Sequence, residues 1–508
     1  MKKKYIKIAL FAALTFGLTS CNDWLDVDQN TEKTVDDMFD NYDGFKGALI
    51  GCYDDLTNTN LYGTRMTMSN IDALAGLWYM DKNAVDYNQS ILENYYFRIH
   101  DYTHSSAEET IKAIYGAMYN TILETNMVIK ACKEKGHNIS NSKIRAVIEG
   151  EAYGIRVLCH LDILRLFGQL PQNATIKVEL PYSEVTSIKD KIQYYSFEQF
   201  VEKLKSDIEQ AKLLLKENDP LSGPIYVEDY AIADDPFMTS RKNRMNYWAL
   251  RGLEARMYAY LGQKDEAYKI AKELIDVKDK DGNTLFPLSS MSDYGKAAPA
   301  GKLRNYASTS ESLFSLYFKD LQSISKSILK GGEPAGSDNV GVGYTSVVER
   351  EHNLTLTPSL FESLFEGVDK AADIRYKYMW SKTKTSQAQE FPTIRKFYVV
   401  NEGEIPVIRM SEIYLIAIEY APNIETAQEL YTTYMESKGV SVNNPFDSTE
   451  KLFEELLKEY RREFFAEGQI FYFYKRHNVK KLWSMTETDM LENEYILPLP
   501  KTEVNPNK

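Results

Sequence analysis

Apolar residues recur every three to four positions along much of this chain, which predicts a body built mostly of helices. Ile111, Tyr115, Met118 and Ile122 share one face of a helix predicted over 108–133. Ile144, Val147, Ile148, Ile155, Leu158 and Leu166 do the same over 142–167, and Gly168 is a natural stop. Ser196 and Gln199 form a capping box ahead of the stripe Phe200, Leu204, Ile208, Ala211 and Leu215. Phe453, Leu456, Leu457, Tyr460 and Phe464 make another stripe near the C-terminus. Strand-like alternation is confined to 313–318 and 393–400.

One window reads as a helix pair. A helix over Tyr247–Leu261 closes at Gly262, Asp265 is expected to cap the next helix, and Ala267 and Ala271 are small enough for two helices to pack closely. These positions match the turn and packing residues of a tetratricopeptide repeat. A weaker copy spans 413–434, with Pro422 and Asn423 at its turn. The copies lie far apart, so the fold expected is mostly α: an irregular stack of tetratricopeptide-like helix pairs with long loops and a few short strands. Loops are expected over 58–106, 277–310 and 330–350, and loops on a rigid scaffold are where binding residues tend to sit.

The N-terminus adds an address. Lys2, Lys3, Lys4 and Lys7 precede an apolar run from Ile8 to Leu18, and Leu18-Thr19-Ser20-Cys21 follows. This is the pattern of a secretory signal over 1–20. The run is shorter than the roughly 20 apolar residues that cross a bilayer. Cys21 stands where a bacterial lipobox places its acylated cysteine, and several acyl chains give stable anchoring where one does not. A secreted, lipid-anchored protein working at a membrane surface is expected.

Loss of residues 1–20 removes four lysines and no acid, so the net charge falls from −13 to −17. That excludes the basic surface a nucleic-acid partner requires. Cys52, Cys132 and Cys159 remain; an odd number leaves at least one thiol unpaired within the chain, and stability must rest on packing. The unusual supply is aromatic, with 36 Tyr, 22 Phe and 5 Trp, and tyrosine combines an apolar face with a hydroxyl at binding surfaces.

Several positions are candidates for ligand contact. Trp78 and Tyr79 are adjacent aromatics in an expected loop, suited to stacking on the apolar C–H faces of sugar rings. Asp72, Asp81 and Asn83 flank them and suit sugar hydroxyls, and Tyr306, Tyr344 and Trp380 are further loop aromatics. His100 and His104 would share a helical face, but they lack the His-Glu-x-x-His order of zinc proteases, and no metal or cofactor is expected. No catalytic motif stands out, so no enzyme is expected. Glu463 and Glu467 beside Arg461 and Arg462 read as ion pairs on a helix surface.

A set of motifs running in order along nearly the whole chain resembles the SusD/RagB family of nutrient-binding lipoproteins of the Bacteroidetes outer membrane. It comprises Cys21-Asn-Asp-Trp-Leu-Asp-Val, Asp37-Met-Phe, Gly44-Phe, Ala48-Leu-Ile-Gly51 and Tyr53. Gly150-Glu-Ala, Arg156, Leu166-Phe-Gly168 with Pro171, and Glu311-Ser-Leu-Phe-Ser315 follow. Asp373-Ile-Arg375, Ile408-Arg-Met-Ser-Glu-Ile-Tyr-Leu415, Arg461-Arg-Glu-Phe-Phe-Ala-Glu-Gly-Gln469 and Leu497-Pro-Leu-Pro500 with Glu503 and Asn505-Pro506 complete it. Ile470 and Phe473 depart from the family pattern, which usually has Arg and Asp there. The resemblance implies a single SusD-like body over 21–508, with an N-terminal region over 22–215 and a C-terminal region over 240–508. It implies four tetratricopeptide-like helix pairs and docking as a lid on a SusC-like TonB-dependent β-barrel. The implied job is capture of an oligomeric nutrient, glycan in preference to peptide, for delivery to the barrel. A surface glycoside hydrolase and a scaffold that binds no ligand are the other readings.

Overall fold

The computed structural model describes residues 35–80, 89–187, 189–222, 235–295, 306–329, 354, 356–384, 390–397, 403–485 and 487–503. The expected helices form. Tyr42–Leu56 (α1) is followed by a short helix, Asn70–Leu74 (α2), and by two long ones, Ser105–Lys135 (α3) and Ser142–Phe167 (α4). Asn141 starts α4 by accepting from the Lys143 and Ile144 amides. The Ser196–Gln199 capping box opens Phe197–Leu215 (α5) as expected. α3 packs on α4, α4 on α5, and α1 on α3.

The second half repeats the pairing. Tyr247–Leu261 (α6) and Lys264–Asp276 (α7) form the expected hairpin, and α7 packs in turn on Met410–Glu419 (α8), which pairs with Ile424–Ser437 (α9). Gly262 makes the α6–α7 turn at φ 70°, and a Cβ there would meet the Gln172 side chain at 1.5 Å. Asp265 is not the cap: Gln263 occupies that position, and Asp265 lies in the first turn of α7, where its charge favours the helix N-terminus. Thr449–Phe464 (α10) and Ile470–His477 (α11) close the stack.

Among the described residues, a two-residue pairing of Leu180–Pro181 with Tyr194–Tyr195 and two longer antiparallel strand pairs complete the architecture. Ser312–Phe318 (β1) pairs with Gly403–Arg409 (β4), and Trp380–Lys384 (β2) pairs with Glu390–Ile394 (β3). The strand expected over 393–400 is thus displaced toward the N-terminus. Residues 398–400 lie outside those described, and β4 was not expected.

The expected loop over 58–106 is largely core. Leu61, Met66, Met68, Ile71, Leu74 and Leu77 are all buried, α2 lies within it, and a helix spans Gln89–Arg98. Without a 3.6-residue stripe, that burial leaves no signature in the sequence. His100 and His104 do not share a helix face either. His100 has a left-handed backbone (φ 56°) and bonds the Leu74 carbonyl, whereas His104 caps α3 and stacks on Tyr96. Cys52, Cys132 and Cys159 are free and buried. Among the described residues no helix is long and apolar enough to cross a membrane.

Candidate functional site

The turn 465–469 between α10 and α11 joins the C-terminal part of the chain to the segment around α2. Asp72, at α2, accepts hydrogen bonds from the Ala466 amide and, at 3.1 Å, from the Gly468 amide. Burial pushes the Asp72 carboxyl up, against the pull of these two amides and of Lys396. Asp72 is therefore a buried strut and not a sugar contact. Gly468 has φ 67°, and a Cβ there would lie 1.9 Å from the Met66 carbonyl oxygen, so only glycine permits this close approach.

Beneath the turn lies a buried ionic network. The β1–β4 register sets Ser312 opposite Arg409, which brings Glu311 beside Arg409 at 2.6 Å. Arg409 also holds Glu463 and Glu467, Lys396 holds Glu467, and Lys438 lies 3.4 Å from Glu463 and 3.6 Å from Glu311. Arg375 joins Asp373, Glu459 and Glu463, and Arg462 joins Glu459. The cations Arg375, Lys396, Arg409, Lys438 and Arg462 thus face the carboxylates of Glu311, Asp373, Glu459, Glu463 and Glu467. Burial alone would raise the Glu463 carboxyl, but Lys438, Arg409, Arg375 and Lys396 outweigh it and hold the group well below the usual carboxylate range. Glu463 and Glu467 are consequently core residues, which corrects the expectation of surface ion pairs.

Above the network runs a chain of aromatic rings. Trp78 meets Phe465 edge-on at 4.7 Å, Phe465 meets Trp380 at 5.0 Å, and Trp380 meets Phe361 at 5.1 Å. Trp78 is 1% exposed and its indole N–H donates to the Met68 carbonyl at 3.0 Å; Trp380 is 5% exposed. Neither indole presents a free face for a sugar, so both expected platforms are structural anchors here. Tyr79, next to Trp78, is half-buried. Asp81, Asn83 and Tyr344 lie outside the described residues.

Tyr306 does belong to a cluster. Its ring lies nearly parallel to Tyr294 (5°, centroids 6.1 Å) and Tyr378 (17°, 6.1 Å), and those two rings are 5.9 Å apart. Tyr294 and Tyr378 are buried, and Tyr306 is half-buried. Tyr294 and Ser308 share a hydroxyl–hydroxyl bond that fixes the first ring. The Arg395 guanidinium lies 5.1 Å from the Tyr306 centroid and the Lys377 ammonium 5.5 Å from that of Tyr378. β2 and β3 hold this group in place, since Trp380 pairs with Ile394 and the Arg395 amide donates to the Met379 carbonyl. Tyr294, Tyr378, Lys377 and Arg395 were not singled out in the sequence. The dense run Tyr376-Lys-Tyr-Met-Trp380 was the available signal.

A groove of about 480 Å³ elsewhere, between the end of α1 and α3, is lined by Asp55, Asn58, Asn60, Glu109, Lys112 and Asn120 over a floor of Ala113, Gly116 and Ala117. Its lining holds no ring for a sugar to stack on. Among the described residues no cluster of His, Cys, Asp and Glu could hold a metal ion.

No family model matches the chain, and no curated protein matches it. Solved structures do. A SusD superfamily protein from Bacteroides thetaiotaomicron is 21% identical, with 92% of this chain and 98% of that one covered at a TM-score of 0.63. A laminarin-binding SusD-like protein is 14% identical over 91% and 96% of the two chains, with a TM-score of 0.58. Surface glycan-binding protein A from Bacteroides uniformis is 14% identical over 90% and 96%, with a TM-score of 0.63. The TM-scores and near-complete mutual coverage show that this mostly helical chain has the SusD-like fold.

Proposed function

We propose that this chain is a cell-surface, lipid-anchored member of the SusD/RagB family that captures a glycan and delivers it to a SusC-like TonB-dependent barrel. The tyrosine group of Tyr294, Tyr306 and Tyr378 carries the reading. A half-buried ring held nearly parallel to two buried neighbouring rings is a preorganised surface for the C–H face of a sugar, and little side-chain entropy is lost on binding. The buried network and the 465–469 turn hold the neighbouring elements rigid, as a binding constellation requires. Solved relatives in fold that are named for laminarin and surface-glycan binding support the same class of ligand. Cys21 supplies the anchor in this reading, and the acidic body keeps the protein soluble beside an anionic surface.

Calorimetric titration of the protein against a panel of polysaccharides and oligopeptides, with product analysis, tests it. Saturable glycan binding without released products is expected, and Tyr306→Ala should weaken it by about 1–3 kcal/mol, the scale of stacking on an aromatic side chain. Binding only to peptides would overturn the glycan assignment. Release of shortened products would overturn the assignment as a binder.

A further inference from the structure

The tyrosine group is flanked by cations in a protein that is otherwise acidic. The whole chain has 60 Lys and Arg against 73 Asp and Glu. Residues 375–397 reverse the balance: Arg375, Lys377, Lys382, Lys384, Arg395 and Lys396 stand against Glu390 alone. Arg375 and Lys396 are consumed by the buried network. Lys377 and Arg395 are not. Lys377 is exposed and lies over Tyr378, and Arg395 is half-buried and lies over Tyr306. Neither has a carboxylate partner among the described residues.

That distinguishes them from the other cations near the site. Arg409, Arg462 and Lys438 are each fully engaged by carboxylates, and Lys370 pairs with Glu362. Of the nearby acids, Asp373 is paired with Arg375, whereas Asp293, next to Tyr294 in sequence, accepts among the described residues only from the neutral Ser290 amide and hydroxyl and keeps its charge. Two cations without carboxylate partners among the described residues, about 5 Å from the rings of one aromatic group, place positive charge where a sugar would stack. A guanidinium also matches the geometry of carboxylate and sulfate oxygens.

Resting on the glycan-capture reading, we propose that this site selects an anionic glycan, with the tyrosine group taking the sugar face and Arg395 and Lys377 taking the charged substituent. A uronate carboxylate and a sulfate ester present the same chemistry to these cations. The acidic remainder of the surface repels such a polymer elsewhere and restricts productive contact to this face.

Titration against matched pairs tests the charge and separates its sources: polygalacturonate beside its methyl ester, and dextran sulfate beside dextran. The expected result is binding of at least one charged polymer at least tenfold tighter than its neutral partner, with affinity falling as salt is raised. The double variant Lys377→Gln, Arg395→Gln is expected to abolish that preference while leaving the melting temperature unchanged. Restoring Arg395 alone should recover more than half of the preference. Equal binding of charged and neutral members overturns the anionic assignment and leaves glycan capture standing. A preference that survives the double variant overturns the assignment to these two residues. No binding to any glycan, these or the broader panel, overturns both readings.

Discussion

Arg409→Met is the most informative perturbation of the core. The guanidinium joins four groups: the Glu311 carboxylate at 2.6 Å, Glu467 at 2.8 Å, the Glu463 carboxylate, and the Glu463 carbonyl at 3.0 Å. Removing it leaves those three buried carboxylates to Lys396 and Lys438, with Arg375 still on Glu463. Breaking a buried pair from one side costs about 3–5 kcal/mol, because the stranded charge keeps its desolvation cost. A loss of that size is a large part of the ~5–15 kcal/mol that holds a typical domain folded. Denaturant unfolding should therefore show a lower midpoint at unchanged slope.

The pH dependence provides a second readout. Glu463 and Glu311 are held below the usual carboxylate range, so each contributes stability that is present above its unfolded pKa, about 4.3, and is lost as pH falls through its folded value. Without Arg409 both carboxyls rise, and acid unfolding should begin at a higher pH. Adding Glu467→Gln removes one uncompensated charge and should recover part of the loss. A destabilisation below about 1 kcal/mol, with the acid limb unmoved, would refute a network that depends on Arg409.

Three other outcomes are expected. Trp78→Ala should cost about 3–5 kcal/mol of stability by opening a cavity between Phe465 and the Met68 carbonyl, with ligand affinity unchanged below the melting transition; reduced affinity at an unchanged melting temperature would return Trp78 to the ligand. Glu419, held by Arg476 and His477 against the effect of burial, has its pKa lowered from 4.5 to about 2. It should therefore supply roughly 3 kcal/mol above pH 4.5 that disappears toward pH 2, and comparing Glu419→Gln with the parent by denaturation at pH 7 and pH 3 should show the gap narrowing. Gly468→Ala should lower stability by about 2 kcal/mol or more, since the new Cβ meets the Met66 carbonyl in a left-handed turn; an unaltered melting temperature would contradict that close approach.

The helices were legible because each must bury one stripe, and a stripe at 3.6-residue spacing needs no partner to be recognised. That determined α3, α4, α5, the α6–α7 hairpin and α10, together with the capping box at Ser196. The sequence also carried a trace of the buried network: Glu459 and Glu463 fall on the same α10 face as Leu456 and Tyr460, where a solvated acid would not be expected. It did not reveal which cations answer them. Arg375, Lys396, Arg409 and Lys438 come from four other segments, and only the tertiary contacts of those segments with α10 and the turn after it bring them together.

The candidate site divides in the same way. Trp78 and Trp380 stand out in the sequence as aromatics in expected loops, yet the tertiary structure consumes both rings in the contact with Phe465. Tyr306 was visible as an aromatic, whereas its alignment with Tyr294 and Tyr378, and the placing of Arg395 over Tyr306 and Lys377 over Tyr378, depends on distant segments meeting at the β2–β3 pair. Local pattern, set by the period of the backbone, determined the helices, the implied signal segment and the family resemblance. Which aromatic faces remain available and which charges stay unpaired depends on neighbours far away in sequence, and only the folded chain decided that.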